Sequence, residues 1–138
     1  MDQSFEITIG SDIAEIPAIL ALLEAAMHAH GFKIDDILDT QLAVEEVITN
    51  IIVHGYKKAG GEIIISCWIN PSNLEVRIMD SAPRFDPLSI PNPKLDGAIE
   101  ERKIGGLGVH LVREVMDKVV YQYENGKNIL VLIKQRTE

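Results

Sequence analysis

Apolar positions along the chain recur with two periods, and the switches between them mark the elements. From Ser4 to Ile9, Phe5, Ile7 and Ile9 alternate with Glu6 and Thr8, which predicts a first strand. Gly10-Ser11-Asp12 supplies a turn and a helix N-cap, and Glu15 is placed to neutralise the first turn. Ile16, Ile19, Leu20, Leu23 and Met27 then follow helical spacing, predicting a helix from Ile13 to His30 closed by Gly31. A second helix, capped by Asp35 or Asp36, is expected to run to Lys58 and stop at Gly60-Gly61. On it Ile37, Val44, Val47, Ile48 and Ile51 form one stripe at about 100° per residue, the face turned to a core.

The period then returns to two. Glu62 to Asn70 and Leu74 to Met79 read as strands joined by the turn Asn70-Pro71-Ser72-Asn73, a hairpin in which Trp68 is expected to pack on a sheet face. Asp80 to Lys103 has no sustained period and holds Pro83, Pro87, Pro91 and Pro93, so it is a candidate lid. Gly105-Gly106-Leu107-Gly108 opens a helix expected from Val109 to Met116. Strands Lys118 to Tyr123 and Asn128 to Lys134 flank Asn125-Gly126, a strong hairpin signal. The order predicts an α+β fold: a two-layer α/β sandwich with a mixed, mainly antiparallel sheet and helices on one face.

Length makes residues 1–138 a single domain with a substantial core. No apolar run approaches a membrane span, and the N-terminus lacks the features of a signal peptide, so a cytoplasmic location away from membranes is expected. The formal charge of −8 argues against a nucleic-acid partner. Cys67 is the single cysteine, which leaves no internal disulfide and reads as a small core residue.

Candidate chemistry sits at three places. Glu46 and Asn50, four residues apart, lie opposite the core stripe but beside Leu42 and Val53, polar groups set among apolar ones as in a lined pocket. Asp80 ends a strand, and Gly105 to Gly108 lead into a helix whose unpaired N–H groups suit a phosphate. Each is weak alone, but together they divide one task. The glycine loop cradles phosphates, and Asn50 offers an amide oxygen to a hard cation such as Mg²⁺. Glu46 accepts a proton from an attacking hydroxyl, and Asp80 accepts a hydrogen bond from an exocyclic amine such as that of adenine. Neither a P-loop nor a dinucleotide fingerprint is present. His28 and His30 read as surface groups that suit a helix C-terminus, His54 and His110 as caps or packing groups, and Lys57, Lys58 and Lys103 as solvated surface within reach of phosphates.

Glu45-Glu46-Val47-Ile48-Thr49-Asn50 with His54-Gly55-Tyr56, then Asp80 to Pro87, then Gly105-Gly106-Leu107-Gly108 with Met116-Asp117, resembles the GHKL superfamily of ATP-binding domains. Within it the closest resemblance is to the anti-sigma-factor serine/threonine protein kinases. The resemblance covers nearly the whole chain and implies the Bergerat sandwich, with ATP and Mg²⁺ as cofactors. It makes Glu46 the general base, Asn50 the Mg²⁺ ligand and Asp80 the adenine contact. Ala82 and Phe85 would flank the base, and Gly105, Gly106, Leu107, Gly108 and Lys103 the phosphates. It implies γ-phosphate transfer to a serine of a small antagonist protein, sequestration of a sigma factor, and assembly as a homodimer. The loop from Ser81 to Lys103 would order with nucleotide. The family pattern Asp-x-Gly-x-Gly is replaced here, with Ala82 and Arg84 in the glycine positions. Two other readings stay open: a non-catalytic, nucleotide-gated regulatory module, and a slow ATPase without a protein substrate.

Overall fold

The computed structural model describes residues 2–89 and 106–138. Among the described residues five strands and three α-helices follow one another in the order β1 (Gln3–Gly10), α1 (Ile16–Ala29), α2 (Ile34–Asn50), β2 (Glu62–Ile69), β3 (Asn73–Asp80), α3 (Gly106–Val115), β4 (Lys118–Glu124) and β5 (Lys127–Gln135). The sheet order is β1-β2-β3-β5-β4. Every pairing is antiparallel, so the expected mixed sheet is antiparallel throughout its described strands.

Alternation decides which face is covered. In β2, Ile63, Ile65, Cys67 and Ile69 point to the helices and are fully or almost fully buried, as are Leu74, Val76 and Ile78 of β3. They meet Ile19, Leu23 and Met27 of α1 and Ile37, Val44 and Ile48 of α2 in one core. The intervening residues form the helix-free face, where Trp68 lies 42% exposed with the Arg77 guanidinium 5.0 Å from its ring centroid. Among the described residues no helix is long and apolar enough to cross a membrane.

The turns follow from their side chains. Asp12 Oδ1 accepts the Ala14 N–H at 2.9 Å and Glu15 Oε2 accepts the Gly10 N–H at 3.0 Å, closing a short 3₁₀ turn, Ile13–Glu15, ahead of α1. Asn70 Oδ1 accepts from the N–H groups of Ser72 and Asn73. Asn125 and Gly126 both have positive φ, as a tight hairpin turn with right-handed strand twist requires.

Three expectations are corrected. The N-cap of α2 is Lys33, which makes no side-chain cap; Asp35 and Asp36 fall in the first turn. Asp36 is instead committed to Thr137, accepting its N–H at 2.8 Å and its hydroxyl at 2.9 Å. The α-helix stops at Asn50, and the chain continues as a π-helix (Ile51–Tyr56) and a 3₁₀ turn (Lys57–Ala59). The widened turn follows Asn50 directly and ends on Tyr56, which is buried. Finally, α3 begins at Gly106 and not at Val109, so Gly106 and Gly108 are helical residues. The candidate lid is described only as far as Ser89, where Pro87–Ser89 forms a 3₁₀ turn.

Candidate functional site

Between α2 with its π extension and the C-terminal end of β3 lies a cavity of about 980 Å³. Glu46 and Asn50 line it from α2, and Asp80, Ala82 and Phe85 from β3 and the segment after it. Val47, Ile51, Val112, Val119 and Leu130 give it apolar walls. Five of the expected residues therefore share one space. Gly106, Leu107 and Gly108 form the first turn of α3, the helix that brings Val112 to the cavity. Lys103 and Gly105 lie outside the described residues.

The half-buried side chains of Glu46 and Asn50 make no hydrogen bond within the described residues, so both polar heads are uncommitted where they line the cavity. Asp80 is 5% exposed and is half committed. Its Oδ1 accepts the Ala82 N–H at 2.9 Å and Asn128 Nδ2 at 3.0 Å, while Oδ2 has no hydrogen-bond donor among the described residues. Burial pushes the Asp80 carboxyl above its ordinary pKa, opposed by the Asn128 hydrogen bond, the Ala82 N–H and the Lys127 charge. A ligand that donates to Oδ2 would complete the hydrogen bonding of a carboxylate whose other oxygen is already held.

The substituted loop after Asp80 needs no glycine backbone, since neither Ala82 nor Arg84 takes a positive φ. Ala82 instead needs room on its far side, and Gly55 supplies it: a Cβ there would stand 3.1 Å from the Ala82 Cβ. Arg84 is an exposed lining residue of the cavity, its guanidinium 5.0 Å from the Tyr123 ring centroid. Lys127 Nζ donates to Ser81 Oγ at 3.0 Å. His54, Lys57 and Lys58 also line the cavity, whereas His110 pairs with Glu114 at 3.6 Å along α3.

Sequence reading missed three residues that shape this site. Tyr56 accepts the Ser81 N–H and donates to the Glu62 carbonyl, each at 2.6 Å. Asn128, buried at the start of β5, bonds to Asp80 and to the loop after it, and Tyr121 donates its hydroxyl to Asn128 Oδ1 at 2.6 Å. Asn128 did carry a signal. It occupies the inward register shared with Leu130 and Leu132, where a polar group must find a partner.

Sandwich, cavity and motif order together define a nucleotide-binding domain of the histidine-kinase type. The family model described as Histidine kinase-like ATPase domain matches residues 9–134, and the chain belongs to that family. Its relatives include the Serine-protein kinase RsbW of Bacillus thuringiensis (strain Al Hakam), 32% identical over 128 residues, covering 86% of this chain and 77% of the relative. RsbW of Bacillus anthracis matches to the same extent. Among solved structures, the RsbU and RsbW domains of a Mycobacterium tuberculosis protein superpose with a TM-score of 0.68 at 15% identity, over 99% of this chain and 33% of that one. The SiaB-SiaC complex from Pseudomonas aeruginosa gives 0.61 at 17%, over 94% and 88%. Both share the fold.

Proposed function

We propose that the protein is an ATP-dependent serine/threonine protein kinase of the anti-sigma type. It would act in the cytoplasm by moving the γ-phosphate of ATP to a serine of a small antagonist protein, and so decide whether a sigma factor is held or released. The observation that carries this reading is the shared cavity of Glu46, Asn50 and Asp80, in a chain whose relatives are named serine-protein kinases.

The residues fit the reactants. Asp80 Oδ2 is an open acceptor on the cavity wall for the adenine amine, and the apolar walls suit a purine ring. Asn50, whose amide lines the cavity without a hydrogen bond among the described residues, would give one ligand to a Mg²⁺ that keeps most of its water. Mg²⁺, when bound, neutralises charge on the phosphates. Glu46, one helical turn from Asn50, takes the proton of the serine hydroxyl. A non-catalytic, nucleotide-gated module is the second reading, because Ala82 and Arg84 depart from the family loop even though their backbone needs no glycine.

The test is transfer of labelled γ-phosphate from Mg·ATP into proteins of a cell extract, recovered as acid-stable phosphoserine. Glu46→Gln should abolish transfer while leaving ATP binding intact. ATP binding with no phosphoserine formed by the parent protein would favour the non-catalytic module.

A further inference from the structure

We infer that Asn128 is a positioning residue that fixes how the Asp80 carboxylate is presented to a purine, and so sets the preference for a base with a 6-amino group; the inference rests on the nucleotide reading above. Asn128 is 7% exposed, and its side-chain hydrogen bonds gather the adenine side of the cavity around one amide. Nδ2 donates to Asp80 Oδ1 at 3.0 Å, to the Ala82 carbonyl at 3.1 Å and to the Pro83 carbonyl at 3.3 Å. Oδ1 accepts the Phe85 N–H at 3.0 Å and the Tyr121 hydroxyl at 2.6 Å.

This arrangement admits one amide orientation. A flip would set the amide oxygen against a carboxylate and two carbonyls, and the NH₂ against a backbone N–H. With Nδ2 fixed, Asp80 Oδ1 is held between two donors, Asn128 and the Ala82 N–H. The carboxylate loses its freedom to rotate, and Oδ2 is the oxygen left for a ligand. An amine donates to it, a carbonyl in the same place repels it, and a bare C–H covers the acceptor without pairing it. The same amide holds the backbone of Ala82, Pro83 and Phe85, the stretch in which this chain departs from glycine. Asn128 thus both orients the reading group and builds the turn beside it.

A merely structural staple and a positioning residue differ in one readout, the ratio of two affinities. The experiment measures binding of Mg·ATP and of the Mg complex of purine riboside triphosphate, which lacks the 6-amino group, by calorimetry on the full chain. The parent protein should prefer ATP by roughly tenfold to a hundredfold, the worth of a hydrogen bond to a charged group. Asp80→Asn should remove the preference. Asn128→Ala should bring the ratio towards one, and so should Asn128→Asp, which keeps the shape but turns the donor into a second carboxylate. Asn128→Asp also keeps the test open should Asn128→Ala not fold. Equal losses for both nucleotides, with the parental ratio kept in the Asn128 variants and lost in Asp80→Asn, would overturn the inference and leave the nucleotide reading standing. No binding of either nucleotide by the parent protein would overturn both.

Discussion

The Tyr56 hydroxyl holds Ser81 by its backbone N–H at 2.6 Å, and at the same distance donates its own proton to the Glu62 carbonyl. Tyr56 closes the π-helix that continues α2, and Ser81 follows Asp80, so this contact ties the helix bearing Glu46 and Asn50 to the strand bearing Asp80. Tyr56→Phe keeps the buried ring and removes both bonds. At ~0.5–1.5 kcal/mol each, the expected loss is about 1–3 kcal/mol, read as a lower urea midpoint with an unchanged m-value. Gly61→Ala attacks the same contact sterically, because a Cβ there would lie 2.2 Å from Tyr56 Cε1. The ring must move, and a loss of at least the same size is expected, about 1–3 kcal/mol for an overpacked site. Neutral behaviour of both variants would mean that the segment after Asp80 is held by its other contacts.

Asp80→Asn is expected to spare the fold and weaken the ligand response. The asparagine oxygen can take over from Oδ1 in accepting from Ala82 and Asn128, while an NH₂ replaces the open Oδ2 and confronts an amine with a donor. The sign of the pH effect follows from the direction of the shift. The folded-state pKa lies above the ordinary 3.8, so the native state binds this proton more tightly and the ionised carboxylate costs stability at neutral pH. That cost is fully present above the raised pKa, shrinks as the pH falls through it, and is gone below the ordinary value, where both states are protonated. The variant should therefore melt at or above the parent at neutral pH, with the difference closing on acidification. Mg·ATP at ~100 times the parent's Kd should add about 2.7 kcal/mol to the parent and, with affinity lowered tenfold to a hundredfold, only about 0.4–1.4 kcal/mol to the variant. The parent's ATP response should also fade on acidification before an ordinary carboxylate would titrate. A variant that is less stable yet responds to ATP as fully as the parent would count against this role.

The parts legible in the sequence are those set by short-range chemistry. Alternation around Asn70 to Asn73 and around Asn125-Gly126 located both hairpins, and Asp12 with Glu15 announced the start of α1, because each signal needs only neighbours a few residues away. Glu46, Asn50 and Asp80 stood out as polar groups against an apolar background, and they share a cavity. The π-helix was hidden, since Ile51, Ile52 and Val53 prolong the apolar pattern of α2 while only the hydrogen-bond register changes. The true start of α3 was hidden for a different reason: glycine has poor helix propensity, and Gly106 and Gly108 read as loop. Asn128 reaches Asp80 only through the pairing of β3 with β5, a relation 48 residues long that no local pattern encodes.

Lys134 joins three elements. Its Nζ donates to Asp39 Oδ2 of α2 at 3.1 Å and to the Val115 carbonyl at the end of α3 at 2.6 Å, from a β5 position only 8% exposed. The Asp39 side chain is 40% exposed, so water screens the ionic half of the contact. Asp39→Asn should therefore cost less than about 1 kcal/mol. Lys134→Ala should cost more, about 1–3 kcal/mol, because the last turn of α3 loses a charged donor and the aliphatic stem loses its packing. The inequality between the two variants, measured by urea unfolding, is the expected result. Equal costs would assign the stabilisation to the ion pair itself.

Cys67 offers an independent check on these stabilities. It lies in β2 opposite Phe5 of β1 and Val76 of β3, fully buried, and burial pushes its thiol up to about 12 from an ordinary 9.0. The thiolate is the reacting species, so native Cys67 is inert at mildly alkaline pH for want of both access and ionisation. A strand flanked on both sides cannot expose its centre by fraying at a sheet edge, so labelling must wait for a large opening of the molecule. When reclosing outruns the reagent, the labelling rate should report the same free energy as urea unfolding. Tyr56→Phe and Lys134→Ala should then speed labelling about tenfold for each ~1.4 kcal/mol by which they lower the urea value. Fast labelling of a variant whose urea stability is unchanged would reveal a local opening of β1 away from β2, and Cys67 would then report on that sheet edge alone.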